Sequence, residues 1–187
     1  MSGRFHVAET PLLGVHVLQR KPYEDERGSF ERMYCAEDLA DLLRDRRVVQ
    51  VNRTLTRQRA SVRGMHYQLA PSAETKIVSC LRGSVFDVAV DLRRDSPTFL
   101  RWHGEVLDAA GHRSLLIPEG CAHGFQALVD GCELLYFHTA PYDPVAERGV
   151  NALDPRVAIA WPLAVEHLSE RDRSHPLVAP EFDGISV

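Results

Sequence analysis

IVSCLRGSVFDVAVDL (residues 77–92) holds two runs of β-branched and aromatic residues separated by Arg82-Gly83. A glycine accepts the positive φ of a tight turn, so the stretch reads as a hairpin of two strands. In the second run Phe86, Val88, Val90 and Leu92 alternate with Val85, Asp87, Ala89 and Asp91, and successive side chains of a strand point to opposite faces. Two carboxylates on one face predict that this face is wet. Outward from the hairpin, short apolar runs recur between turn signals at 14–19, 48–55, 76–81, 84–92, 100–107, 113–117, 124–129 and 133–138. Such regular spacing is the pattern of an all-β sandwich or barrel.

Little helix is expected. Leu39, Leu42 and Leu43 fall at helical spacing among charged neighbours and predict one helix over 36–44. Near the C-terminus LSERD (168–172) spaces Ser169 and Asp172 as a helix cap. With 187 residues and no linker, repeat or low-complexity tract, residues 1–187 read as one domain. The net charge is −4 and basic residues are scattered among acidic ones, which argues against a nucleic-acid partner. The N-terminus shows no leader pattern and no apolar run is long enough to span a bilayer, so a soluble cytoplasmic protein is expected, without membrane contact. Cys35, Cys80, Cys121 and Cys132 lie in strand-like segments without a CxxC pair, and read as reduced core residues.

IPEGCAHGF (117–125) places Pro118, Gly120 and His123 in the order P-x-G-x-x-H, a rigid turn that delivers a histidine to the start of a strand. This resembles the second motif of cupins and implies a double-stranded β-helix, or jelly roll, with a few short helices. Metal-binding cupins also carry H-x-H in a first motif, because a divalent ion wants several imidazoles and an oxygen converging. Here that place reads RGMHYQ (63–68), with His66 alone and Gln68 where the second histidine would stand. The ligand set is incomplete and no metal is expected.

A resemblance along nearly the whole chain then becomes specific. DERGSF (25–30), QVN (50–52), RGMHYQ (63–68), TKIV (75–78), GSVFDVAVDLRRDSPTF (83–99), IPEGCAHGF (117–125), LLYFHTAPYDPVAERG (134–149), WP (161–162) and LSERD (168–172) agree in order and spacing with dTDP-4-dehydrorhamnose 3,5-epimerases. The resemblance implies a substrate with a ketone at sugar carbon 4, which acidifies carbons 3 and 5 because the carbanion delocalises as an enolate. Inversion then needs a base on one face and an acid on the other. By this resemblance His66 is the base, Tyr136 the acid, Asp172 the partner that orients His66, and Lys76 the cation beside the enolate oxygen. Arg27 and Arg63 are implied at the diphosphate or nucleotide, Gln50 and Asn52 at the sugar or nucleotide, and His123, Tyr142 and Glu147 in the site lining. The implied ligand is a nucleotide-diphospho-sugar, dTDP-linked, and the implied assembly a homodimer in which the Arg27 segment reaches the neighbouring site. No cofactor is implied, and no GxGxxG loop after a strand is present to hold a dinucleotide.

Plainer roles stand beside these. Asp172 would cap a helix whether or not it assists His66, and Asp87 would serve to satisfy buried donors near His123. The chain also departs from the family pattern. Arg32 occupies a family glutamate's place, with Glu31 displaced by one and so expected on the other side of a strand. Phe137-His138 follows the tyrosine where a lysine is common, and Pro141 precedes Tyr142. Two other readings stay open on the residues alone: a metal-dependent cupin built on His66, His123 and Asp87, and a nucleotide-sugar binding module without chemistry.

Overall fold

The computed structural model describes residues 3–187. In chain order come β1 (Phe5–Glu9), β2 (His16–Arg20), β3 (Tyr23–Asp25), β4 (Gly28–Phe30) and the one-turn helix α1 (Ala40–Leu43). Eight strands follow: β5 (Gln50–Thr56), β6 (Ser61–Gln68), β7 (Lys76–Arg82), β8 (Ser84–Asp91), β9 (Trp102–Asp108), β10 (Arg113–Ile117), β11 (Cys121–Ala127) and β12 (Cys132–His138). The chain closes with β13 (Glu147–Gly149), β14 (His167–Leu168) and α2 (Glu170–Arg173).

Strands β5 to β12 form two facing layers, ordered β5-β12-β7-β10 and β6-β11-β8-β9. Apart from β8 and β9, successive strands cross from one layer to the other, which is the jelly-roll connection expected from the sequence. β1 and β2 extend the first layer beyond β10, and β13 extends the second beyond β6.

The 77–92 stretch is therefore a turn but not a hairpin. Gly83 does take positive φ, +80°, and an added Cβ would lie 2.9 Å from Cys132 Sγ. Yet β7 pairs with β10 and β12, while β8 pairs with β9 and β11. Both edges of β7 are already taken, so the chain leaves Gly83 into the opposite sheet. The expected wet face of β8 is also dry, since Asp87 and Asp91 are fully buried. Val85 and Ala89 face the core between the sheets, with Val78, Leu107, Leu115, Phe125 and Leu134. Val88, Val90 and Leu92 lie under a second layer made by Val150, Val157, Trp161, Val178 and Ile185 of the C-terminal segment. On the Val85–Ala89 face, Asp91 is held by Arg93, Ser96 and Thr98, at 2.8, 2.6 and 2.6 Å.

The expected 36–44 helix shortens to α1, since residues 36–39 form turns ahead of it and Arg44, at φ 55°, ends it. Its apolar face is as anticipated: Leu39 and Leu43 are buried with Leu18, Ile77 and Phe137, and Leu42 packs against them. Glu31 is not on a strand, for pairing ends at Phe30 and its carboxylate accepts from Arg20 Nε at 2.7 Å and His112 Nδ1 at 2.9 Å. All four cysteines are free, three of them buried; Cys35 lies outside any strand. Among the described residues no helix is long and apolar enough to cross a membrane.

Candidate active site

Where polar side chains replace the apolar filling between the sheets, the interior opens into a cleft of about 860 Å³. Its walls come from β5, β6, β7, β11, β12 and the start of α2. The strand carrying His66, β6, is absent from the apolar runs of the sequence, because Gly64 and its polar neighbours break the pattern. That glycine is required: φ is +121°, and a Cβ would sit 2.5 Å from Gly124 Cα on β11. The close approach accompanies a register shift between His123 and Phe125, leaving His123 directly opposite His66.

On the β6 wall His66 Nε2 lies 2.7 Å from Asp172 Oδ1. Asp172 is 3% exposed and also accepts from Gly64 N at 3.3 Å. Burial works against its charge, but the bond from His66, the backbone amide and Ser169 outweigh that and bring its pKa down to about 2. The cap expected from LSERD is present as well, with Asp172 N donating to Ser169 Oγ at 3.0 Å, so one residue does both jobs. A carboxylate only accepts, so Nε2 carries the hydrogen and Nδ1 is left with the lone pair.

A depressed carboxyl pKa stabilises the fold above the unfolded value near 4 and loses that contribution as pH falls through about 2. Asp172→Asn is therefore expected to cost about 2 kcal/mol at neutral pH, a deficit unchanged down to about pH 4 and shrinking below. Urea unfolding across that range reads it, and an unchanged midpoint at pH 7 would refute the coupling.

The facing wall belongs to β12. Tyr136 is 8% exposed, its ring edge-on to His123 at 5.9 Å across the sandwich. Burial, and then the charge of Asp87, push its phenol above the ordinary value, with Arg63 acting the other way. Asp87 Oδ1 pairs with His123 Nε2 at 2.8 Å, the supporting role expected of it. Lys76 Nζ donates to His66 O at 3.3 Å and meets Glu74 Oε1 at 3.2 Å. Glu74 Oε2 accepts from His138 Nδ1 at 2.7 Å.

At the mouth, Glu147 accepts from Tyr142 Oη at 2.9 Å and from Arg171 at 3.1 Å. Gln68 is a structural clamp, since its Nε2 donates to Ser72 O and Pro141 O at 2.8 and 3.2 Å, while Oε1 accepts from Asp143 N at 2.6 Å. Its amide ties down the loop that carries Tyr142. At 4% exposure these bonds are sheltered from water, so Gln68→Ala should destabilise by about 2–3 kcal/mol and raise KM through the loosened loop. Thermal unfolding and steady-state kinetics measure the two effects, and a variant unchanged in both contradicts the clamp.

The cleft thus gathers Asn52, Arg63, His66, Lys76, His123, Tyr136, Tyr142, Glu147 and Asp172 from the expected set. Two expected residues are elsewhere. Arg27 sits at the β3–β4 turn, 84% exposed and paired with Asp25, outside its own cleft. Gln50 accepts from Tyr142 N at 3.0 Å and steadies the loop instead of lining the cleft. Glu74, Arg171 and His175 went unnoticed in the sequence; an acidic residue two places before a strand lysine was the available signal for Glu74. The metal set of His66, His123 and Asp87 does not converge. Among the described residues the converging ligand atoms are those of His66, Asp172 and His175, and the Arg171 guanidinium lies 3.1 Å from His66 Nε2, a cation beside the place a metal would take.

Comparison with known proteins follows the same lines. Residues 9–180 match the family described as dTDP-4-dehydrorhamnose 3,5-epimerase. A dTDP-4-dehydrorhamnose 3,5-epimerase of Streptomyces griseus is 40% identical over 168 residues, 89% of this chain and 83% of the relative. A dTDP-4-dehydrorhamnose 3-epimerase of Streptomyces niveus is 40% identical over 171 residues, 91% of this chain and 82% of the relative. The crystal structure of dTDP-4-dehydrorhamnose 3,5-epimerase from Bacillus anthracis, with TDP and PPi bound, superposes with a TM-score of 0.88 at 38% identity, covering 92% of this chain and 99% of the other.

Proposed function

The chain belongs to the dTDP-4-dehydrorhamnose 3,5-epimerase family, and from that premise we propose that His66 and Tyr136 exchange protons with carbon on opposite faces of one sugar ring. The enzyme is an isomerase that inverts carbon 3, carbon 5 or both of a dTDP-linked 4-keto-6-deoxyhexose. The observation carrying the assignment of roles is that His66 with its Asp172 partner stands on one sheet, and Tyr136 on the facing sheet, of the same cleft.

The nitrogen of His66 takes the proton from the carbon beside the ketone. The C–H pair becomes the enolate double bond and the carbonyl π pair moves onto oxygen. Lys76, 7% exposed, supplies fixed positive charge for that oxygen, worth more to the enolate than to the ketone. Tyr136 donates its hydroxyl proton to the opposite face, the enolate pair returns to the C–H bond, and the centre is inverted. Exchange with water restores the imidazole and the phenol. The oxidation level of the sugar never changes, so the sequence of steps needs no electron carrier.

Arg63 is assigned to the diphosphate or nucleotide, and a cytoplasmic homodimer completes the reading. Support for the dimer comes from the exposed β3–β4 hairpin, where Tyr23 and Phe30 are 57% and 71% exposed. Its Arg27 would serve a second copy's cleft.

Incubation with the 4-keto substrate in D2O, resolved by carbon position, tests the reaction. Label is expected at carbon 3, carbon 5 or both without added cofactor. No label with authentic substrate would defeat the reading.

A further inference from the structure

Among the titratable side chains that line the cleft and that the proton path just described leaves unused are Glu74 and His138. Both are sheltered, their side chains 8% and 11% exposed. They sit on the acid wall. His138 follows Tyr136 by two places on β12, so both side chains share one face, and their rings stack at 5.9 Å with 19° between planes. Lys76 is the register partner of His138, and Asn52 that of Tyr136.

The hydrogen bonds determine what His138 presents. Glu74 reaches Lys76 with one oxygen and His138 Nδ1 with the other. Burial opposes its charge, but the bond from His138 and the charge of Lys76 prevail, and its pKa lies below the ordinary value. A charged carboxylate accepts only, so Nδ1 carries the hydrogen and Nε2 keeps a lone pair. Asn52 Nδ2 approaches that nitrogen at 3.4 Å, a long bond that a better donor would displace. His138 is thus a hydrogen-bond acceptor of fixed tautomer, beside the acid and against the cation assigned to the enolate oxygen.

We propose that His138, held by Glu74, is a specificity-determining residue that accepts a hydrogen bond from a sugar hydroxyl and decides which carbon faces Tyr136. The inference rests on the epimerase reading. Carbons 3 and 5 flank the ketone, so a small slide or rotation of the ring exchanges one for the other at the acid. An acceptor fixed beside Tyr136 favours the placement that satisfies it, because a sheltered nitrogen left without a donor is penalised.

The experiment is deuterium wash-in from D2O at carbons 3 and 5, with KM, for the parent, His138→Phe, Glu74→Ala and His138→Gln. Phenylalanine keeps a ring stacked on Tyr136 and removes both nitrogens. His138→Phe and Glu74→Ala are expected to shift the ratio of label at the two carbons in the same direction by about fivefold or more, and to raise KM. His138→Gln restores an acceptor and should return the ratio toward the parent's. An unchanged ratio in His138→Phe, with both carbons slowed equally, overturns this inference while leaving the epimerase standing. A parent that exchanges at neither carbon removes both.

Discussion

Replacing His66 by alanine is expected to abolish solvent exchange at both carbons, lowering turnover by about 10³-fold or more while nucleotide-sugar binding survives. Its imidazole is the one whose second nitrogen is held by a carboxylate on the β6 wall, and it stands opposite Tyr136 across the cleft. His123 has its Nε2 held by Asp87 in the same way, at 2.8 Å, but it sits on the neighbouring strand and its side chain is only 7% exposed, against 24% for His66. The loss belongs to chemistry and not to folding if the variant still binds dTDP and unfolds cooperatively. Removing the imidazole does leave Asp172 buried without its partner, so a loss of about 1–3 kcal/mol accompanies it. Exchange retained within tenfold of the parent would reassign the base.

Tyr136→Phe separates the two halves of the reaction. Inversion should fall by about 10²-fold or more, since the opposite face loses its proton donor. Proton removal by His66 continues, and the same imidazole can return deuterium to the face it came from. The substrate should therefore gain label with its configuration kept. This outcome distinguishes an acid from a residue that merely shapes the cleft, whose loss would slow exchange and inversion together. The Tyr136 ring is packed with the core between the sheets, so phenylalanine preserves the filling and stability should change little. Equal loss of label and product would remove Tyr136 from the acid role.

Much of this was legible in the residues. Apolar runs separated by turns predicted an all-β sandwich or barrel, the resemblance of IPEGCAHGF to a cupin motif implied the jelly roll, and spaced motifs along the chain predicted the family and nine residues that line the cleft. Such readings succeed because periodicity and turn chemistry are local, and because a motif carries its neighbours' spacing with it. Ser169 shows the limit of local signals from the favourable side: a cap spacing predicted both the helix start and the place of Asp172. His66 shows the unfavourable side. Its strand is absent from the apolar runs, yet Gly64 allows two strands to approach closely enough for His66 to stand across from His123.

The stretch at 77–92 divides the two kinds of information. Its sequence determined two strands and a positive-φ turn at Gly83, because those are properties of neighbouring residues. Only the tertiary structure decided that the strands part into opposite sheets and that the Asp87 and Asp91 face is dry, because a strand's partners and the layer covering it come from distant segments. The cleft divides the same way. Motifs placed His66, Tyr136 and Asp172 in one site, while the link from Glu74 to both Lys76 and His138 depends on β7 lying beside β12, a pairing of strands far apart in the chain. Gln50 left the cleft for the same reason: where a side chain ends is set by the packing of its strand, which residue type and spacing do not encode.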